Sequence, residues 1–363
     1  MSKTNLAVRR LASLDAFRGI TIAGMILVNN PGSWDHVYPP LRHAVWHGWT
    51  PTDLVFPFFL FIVGVSISLA LSRRIDAGIS GVALHFKIFK RSAILFALGL
   101  LLRLIPKFDF AAMRIPGVLQ RIALCYLFAA LLYIHSGPKG RIAAVLFALG
   151  AYWAVMKFVP VPGYGAGVID YNGNLCGYID TKLLAGHLYK PEFDPEGILS
   201  TLPAIATSLL GTLAGDWLRK SKGVLTKTAG LLGAGIVLTA VGLALHPYFP
   251  INKQLWTSTF VLFTAGAALI LLALCFLVID GFGFKMWATP FFIFGMNAIA
   301  AYCASILGSK LLVLVKANSY IYEHLLVPWA GNLNGSLVYA VGYVLIWLVI
   351  MTPFYKKKIF IKI

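Results

Sequence analysis

A chain of 363 residues that is 59% hydrophobic and 12% charged, with a mean hydropathy of +0.81, is far from a soluble domain, which averages about 45–50% apolar and 25% charged residues. The formal net charge of +18 does not point to nucleic acid. The basic residues fall in short clusters between apolar runs ("LSRR", "HFKIFKR", "GPKGR", "WLRKSKG", "YKKKIFIKI") with no basic-aromatic binding module, and positive-inside bias in a polytopic membrane protein explains that pattern.

In chain order, about ten apolar stretches approach the ~20 residues that a membrane-crossing helix needs. They begin near Asp15, Thr52, Phe89, Pro116, Arg141, Ile198, Thr228, Trp256, Trp287 and Ser336. The start, "MSKTNLAVRRLASLDAFRGITIAGMILVNN", is basic and then apolar like a signal peptide. It lacks a small-residue cleavage site, however, and carries Asp15 and Arg18 at the edge of the run, so it reads as a retained first span. With the N-terminus inside, an even number of spans returns the C-terminus inside. The alternate loops with Arg73, Arg74, Lys87, Lys90, Arg91, Lys139, Arg141, Arg219, Lys220, Lys222 and Lys227 then all lie inside. The fold class is all-α and polytopic, and residues 1–363 read as a single transmembrane domain with short tails. Its outside loops, at about 30–51, 160–197 and 315–335, are rich in Tyr, Trp, His, Asn and Gly, as interfacial aromatic belts are and as a sugar site would be. The pair "PFFLF" and "PFFIF" is too short to establish an inverted repeat. Cys125, Cys176, Cys275 and Cys303 are widely separated, with no CxxC pair, so no disulfide framework or zinc site can be argued.

The chemistry concentrates at the mouth of the second span, "LRHAVWHGWTPTDLVFPFFLFIVG". Thr50-Pro51-Thr52-Asp53 reads as a helix start, with Thr50 as cap, Pro51 at the first helical position and Asp53 completing a capping box. His43, Trp46 and His47 then lie just outside the membrane, facing the positive end of that helix. His43 and His47 are four residues apart, but no third ligand stands at a recognisable spacing and HExxH is absent, so no metal is expected. A histidine there is either a hydrogen-bonded surface group or a general base. Arg18 lies several residues into the first span, one turn after Asp15, and Arg121 follows Gln120 on the fourth. Cations at such depth face a polar cavity or pair with one another. Asn29, at the far end of the first span, is either a helix-end cap or an amide donor to a developing oxyanion.

The stretches "SLDAFRGITIAGMILVNN", "LRHAVWHGWTPTDLVFPFFLFIVG", "RIPGVLQRIALCYL", "FDPEGILSTLPAIATSLLG", "NKQLWTSTFVLFTAGAALILL" and "PFFIFGMNAIAAY" together resemble the heparan-α-glucosaminide N-acetyltransferase family and its bacterial relatives. "DAFRG" alone also resembles the "DGLRG" of the broader acyltransferase-3 enzymes. The resemblance implies a transmembrane acyltransferase fold that moves acetyl from cytosolic acetyl-CoA, as co-substrate, to the amine of a glucosamine-type sugar outside. It implies His43 as the active histidine, in the context "HAxWxGxTxxDLVFP", and Asn29 as the active-site asparagine. The inward Arg18, Arg73, Arg74 and Arg91, together with Arg121, are then expected around the CoA phosphates, and Trp46, Asp53 and Asn297 around the acceptor. The chain lacks the long N-terminal luminal region of lysosomal members, so the resemblance does not fix polymeric heparan as the acceptor, and glucosamine, a muropeptide amine or a glycan terminus all stay open. The chain is expected in a bacterial inner membrane, both termini cytoplasmic.

Direct transfer in a ternary complex is favoured, and an acetyl-histidine intermediate remains open. The competing reading from the spans and buried charges is a secondary transporter or permease for an amino sugar or related solute. Beyond lipid and the two substrates no partner is implied. The sequence does not set the oligomeric state, and a homodimer is compatible with it.

Overall fold

The computed structural model describes residues 11–79 and 81–361. The basic N-terminal stretch expected inside falls outside the described residues. Thirteen helices follow in order: α1 (Ala12–Asn29), α2 (Pro51–Asp76), α3 (Val82–Leu104), α4 (Val118–His135), α5 (Pro138–Phe158), α6 (Leu175–Leu183), α7 (Thr201–Arg219), α8 (Val224–Ala244), α9 (Ser258–Cys275), α10 (Thr289–Met296), α11 (Ala298–Leu314), α12 (Ala317–Tyr320) and α13 (Val327–Lys356). A two-residue hairpin pairs β1 (Pro160–Val161) with β2 (Gly165–Ala166). All four cysteines are free and buried.

The chain is an all-α polytopic membrane protein. Among the described residues, seven helices are long and apolar enough to cross a membrane, and the pair Met286–Met296 and Ala298–Leu314, bent by 75°, makes an eighth if counted as one span. The expected ten spans also took in α3 and α7, helices of 23 and 19 residues. Polarity removes both from that count: α3 bears His85, Lys87, Lys90, Arg91 and Arg103, and α7 buries Thr207, Ser208 and Thr212.

Glycines let the inner helices approach closely, as small residues do in membrane bundles. A Cβ on Gly19 of α1 would stand 1.8 Å from the Phe291 carbonyl oxygen of α10, and one on Gly295 would stand 1.9 Å from that of Asp15. Gly64 of α2 and Gly211 of α7 meet in the same way, each against the other helix's backbone. The helices α1 and α2 run antiparallel. Arg18 bonds Ser66 near one end, whereas Met25 and Val28 share a cavity wall with Val55 and Phe56 near the other. The first may be called the arginine end and the second the histidine end.

Candidate active site

At the histidine end α2 starts as its sequence dictates. Thr50 and Asp53 form a capping box with Pro51 in the first turn. Asp53 is 1% exposed, and its two oxygens divide the work. Oδ2 accepts from the Thr50 and Ala44 backbone N–H groups, each at 3.0 Å, which closes the helix start and fixes the preceding loop. Oδ1 stands 2.7 Å from Nδ1 of His43. The capping residue is thus also the histidine's partner, and the first turn of α2 holds the imidazole. With Nδ1–H donating to Asp53, Nε2 is left with a lone pair for an incoming proton.

His43 and Asn29 line one cavity of about 240 Å³ with Val28, Phe56, Arg114, Tyr189, Pro195, Glu196, Lys253 and Gln254. The Asn30 amide turns back to donate to the Ile26 carbonyl at 2.7 Å, so it caps α1. Asn29 is exposed and, among the described residues, its amide makes no hydrogen bond. Lys253 places Nζ 2.9 Å from Nδ1 and 3.2 Å from Nε2 of His43, and 3.5 Å from Asp53 Oδ1. Near-equal reach to both ring nitrogens sets the amine against the ring rather than on one lone pair. Burial pushes that amine below its ordinary range, with Asp53 opposing. On the other wall Arg114 donates to both oxygens of Asp194 and to Glu196, and stacks over Tyr189.

The remaining expected site residues have other places. Trp46 donates its indole N–H to the Ile169 carbonyl at 2.9 Å and packs edge-on against Tyr171 and Phe193, so it ties two loops together away from the cavity wall. His47 contacts the Asn252 amide, and burial lowers its imidazole pKa. Arg121, 1% exposed, donates to the Pro195 and Gly197 carbonyls and to the Ser200 hydroxyl, over the face of Trp256. That clasp fixes the segment which brings Pro195 and Glu196 to the cavity. Arg121 does not line the cavity at the arginine end: its two terminal nitrogens are engaged by the 195–200 segment, and its buried Nε has no partner.

The arginine end holds a second cavity, of about 310 Å³, lined by Arg18, Arg74, Arg91, Ser66, Tyr126 and Asn297 among others. Arg18 is held by Asp15 at 3.1 Å, the Gly295 carbonyl and the Ser66 hydroxyl. Both the ion pair and the cavity that a cation in a span calls for are therefore present. Arg91 stacks over Tyr126, and its buried Nε has no partner. Arg73 precedes Arg74 on the exposed side of the last turn of α2, outside the cavity lining. Asn297 stands at the α10–α11 break in this cavity, not at the histidine end. Its amide donates to the Ile359 carbonyl and accepts from the Ile361 N–H, strapping the C-terminal segment across the cavity wall.

Sequence reasoning missed Lys253, Arg114, Glu196 and Tyr189. Three of them lie at the polar starts of the stretches "NKQLW", "RIPG" and "FDPEG", just ahead of apolar runs. Among the described residues no group of three or more His, Cys, Asp or Glu side chains is placed to hold a metal ion.

A profile described as heparan-alpha-glucosaminide N-acetyltransferase, catalytic, matches residues 10–249. The chain is 31% identical to the heparan-alpha-glucosaminide N-acetyltransferase of Mus musculus over 98% of its own length and 61% of that relative. It is 30% identical to that of Homo sapiens over 98% of itself and 60% of that relative. It thus spans about three fifths of the length of these curated relatives. On this match, which runs through both the His43 loop and the arginines of α1 to α3, the chain belongs to the heparan-α-glucosaminide N-acetyltransferase family.

Proposed function

We propose that the chain is a transmembrane N-acetyltransferase, taking acetyl from acetyl-CoA on the cytosolic side and delivering it to the amine of a glucosamine-type sugar on the other. The observation that supports this reading best is the stacking of two unlike cavities on the same two helices. Along α1 the axis rises about 16 Å from Arg18 to Asn29 at ~1.5 Å per residue, and along α2 the two linings meet at Phe56 and Phe59. An extended pantetheine arm can cover that reach. Phosphates held at the arginine end would bring a thioester to the level of Asn29 and His43. The arginine end suits phosphates: Arg18, Arg74 and Arg91 converge on one space, and the buried Nε of Arg91 lacks a partner.

In this reading His43 Nε2 removes a proton from the sugar ammonium, and Asp53 holds the imidazolium that forms. The freed amine nitrogen bonds to the thioester carbonyl carbon. Asn29 donates its amide N–H to the oxygen that gains charge. As the carbonyl re-forms the C–S bond breaks and the thiolate takes the proton from imidazolium. The second proton of the attacking nitrogen passes to the neutral His43 so regenerated and on to solvent, leaving the amide product and CoA.

Purified protein given acetyl-CoA and glucosamine tests the reading. CoA release that requires the amine is expected. Solute flux without acetyl-CoA turnover would make the chain a transporter and overturn the proposal.

A further inference from the structure

The cavity at the arginine end is lined by two unlike sets of residues. Arg18, Arg74 and Arg91 reach it from α1, α2 and α3, whereas the α10–α11 break offers Met296, Ala298 and Ile299. Ile361 joins the uncharged set, so part of the wall belongs to a segment that arrives from beyond α13.

A local device delivers that segment. The last turn of α13 closes as a Schellman motif: Lys358 takes a φ of +53°, its N–H donates to the Tyr355 carbonyl at 3.1 Å, and the Ile359 N–H donates to that of Phe354 at 2.9 Å. The left-handed residue turns the chain off the helix axis. Residues 359–361 then pass Asn297, whose buried amide spends both of its polar atoms on them. It donates to the Ile359 carbonyl and accepts from the Ile361 N–H, each at 2.9 Å. This is the pairing that a neighbouring β-strand would make. The strap itself is shallow. Ile359, Phe360 and Ile361 are 46%, 37% and 50% exposed, against 2% for Asn297. A segment that buries so little apolar surface opens locally at small cost. Coenzyme A carries a partner for each set of residues, phosphates for the arginines and a flat adenine ring for the apolar wall.

We propose that residues 359–361 are a movable wall of the coenzyme site, closing on the adenine of acetyl-CoA once its phosphates meet Arg18, Arg74 and Arg91, and that Asn297 is the positioning residue that sets the closed state. The inference rests on the acetyl-transfer reading with the phosphates at the arginine end. Opening breaks the two bonds to Asn297 and admits the coenzyme. Closing re-forms them and lays Ile361 against the bound ring.

The test measures kcat and KM of the full chain with acetyl-CoA and with acetyl-phosphopantetheine, a donor that keeps the thioester but lacks the adenosine. Asn297→Ala should raise KM for acetyl-CoA by roughly 5–30-fold, the scale of one or two neutral hydrogen bonds. Its kcat at saturation and its acceptor KM should stay near wild type. Ile361→Gln, a change on the exposed strap that leaves the helix bundle untouched, should give a smaller rise in the same direction. KM for acetyl-phosphopantetheine should be the same in all three proteins. Limited trypsin digestion after Lys356, Lys357 and Lys358 reads the strap without turnover. Saturating CoA should slow that cleavage in wild type and protect Asn297→Ala less. An equal rise in KM for both donors, or cleavage that CoA does not slow, would overturn the proposal. So would protection by phosphatidylglycerol vesicles alone, which would make the strap a lipid anchor. An acetyl-CoA KM that ignores both Arg91→Gln and Asn297→Ala would remove the coenzyme from this end altogether. One that responds to Arg91→Gln alone would overturn the strap and leave the acetyl-transfer reading standing.

Discussion

The two ends of the bundle handle charge in opposite ways. At the arginine end three helices each supply an arginine to one cavity, and among the described residues Arg18 alone of the three has a carboxylate beside it. At the histidine end every cation on the His43 cavity wall is matched: Arg114 by Asp194 and Glu196, Lys253 by Asp53. An uncompensated cluster suits a ligand that brings several negative charges. A compensated one suits a reaction in which a proton moves and charge must rise and fall locally without a standing field. The ends also differ in construction. The first is lined by helices α1 to α4, the α10–α11 break and Ile361 of the C-terminal segment, while the second is assembled from the ends of α1 and α2 and from the loops around residues 43, 114, 195 and 253.

The largest expected break of this contrast comes from the histidine end. His43→Ala should lower kcat for acetyl transfer by roughly 100–10,000-fold, the contribution of a positioned general base, while acetyl-CoA affinity stays. Asn29→Ala should cost about 100–1000-fold in kcat with little change in either KM, as loss of an oxyanion donor does. Asn30→Ala serves as the control, since that amide bonds only the Ile26 carbonyl. Steady-state kinetics with both substrates varied reads all three. If Asn29→Ala raised the acceptor KM alone, that amide would position the sugar and another donor would meet the oxyanion.

A smaller effect, of the opposite kind, is expected at the arginine end. Arg91→Gln should raise KM for acetyl-CoA by roughly 10–100-fold, the scale of a charge-assisted contact to phosphate, with kcat little altered at saturation. Adding Arg18→Gln should raise it further. Arg18 also ties α1 to Asp15, Ser66 and the Gly295 carbonyl, so the single Arg91 variant is the cleaner measurement. Unchanged acetyl-CoA affinity in both variants would remove the phosphates from this cavity.

How far each end was legible in the sequence follows from how it is built. Arg18 stands out because a cation inside an apolar run needs a cavity wherever the helix packs, and Arg91 because it belongs to an inward basic cluster. The start of α2 was equally legible, because a capping box is a local device: Thr50, Pro51 and Asp53 act within four residues. That Asp53 spends its second oxygen on His43 was not, since the loop must first fold back by ten positions. Lys253, Arg114 and Glu196 reach the cavity only through tertiary contacts, and no spacing links them. Arg121 shows the reverse error. By composition it matches Arg18, but its neighbours in space are carbonyls at 195 and 197, which turn a cation in a span into a loop anchor.

The last expected effect, on stability rather than turnover, centres on Asp180 of α6, in the loop-built end of the molecule. Burial pushes this carboxyl up to about 6, against the N–H groups of Ile198 and Asp194 that favour the charged form. Its Oδ1 accepts from Ile198, while its buried Oδ2 has no partner. The side chain therefore braces the same 194–200 segment that Arg121 clasps. The folded pKa lies above the ordinary value of 3.8, so between those two values the folded state binds the proton that the unfolded chain releases. Stability from this group is thus fully present below about pH 4 and lost as pH rises through about 6. Asp180→Asn keeps the acceptor for Ile198 and places a neutral amide where Oδ2 lies. The variant should melt higher than wild type above pH 7, and the gap should close toward pH 4. The change amounts to about 3 kcal/mol at most, at ~1.4 kcal/mol for each tenfold difference in proton affinity between the folded and unfolded chain. Thermal melting at pH 4.5, 6 and 8 reads it. A gap that stays constant with pH would mean that Asp180 does not hold its proton in the folded state. A gap that widens toward pH 8 would locate pH sensitivity in the loop-built histidine end.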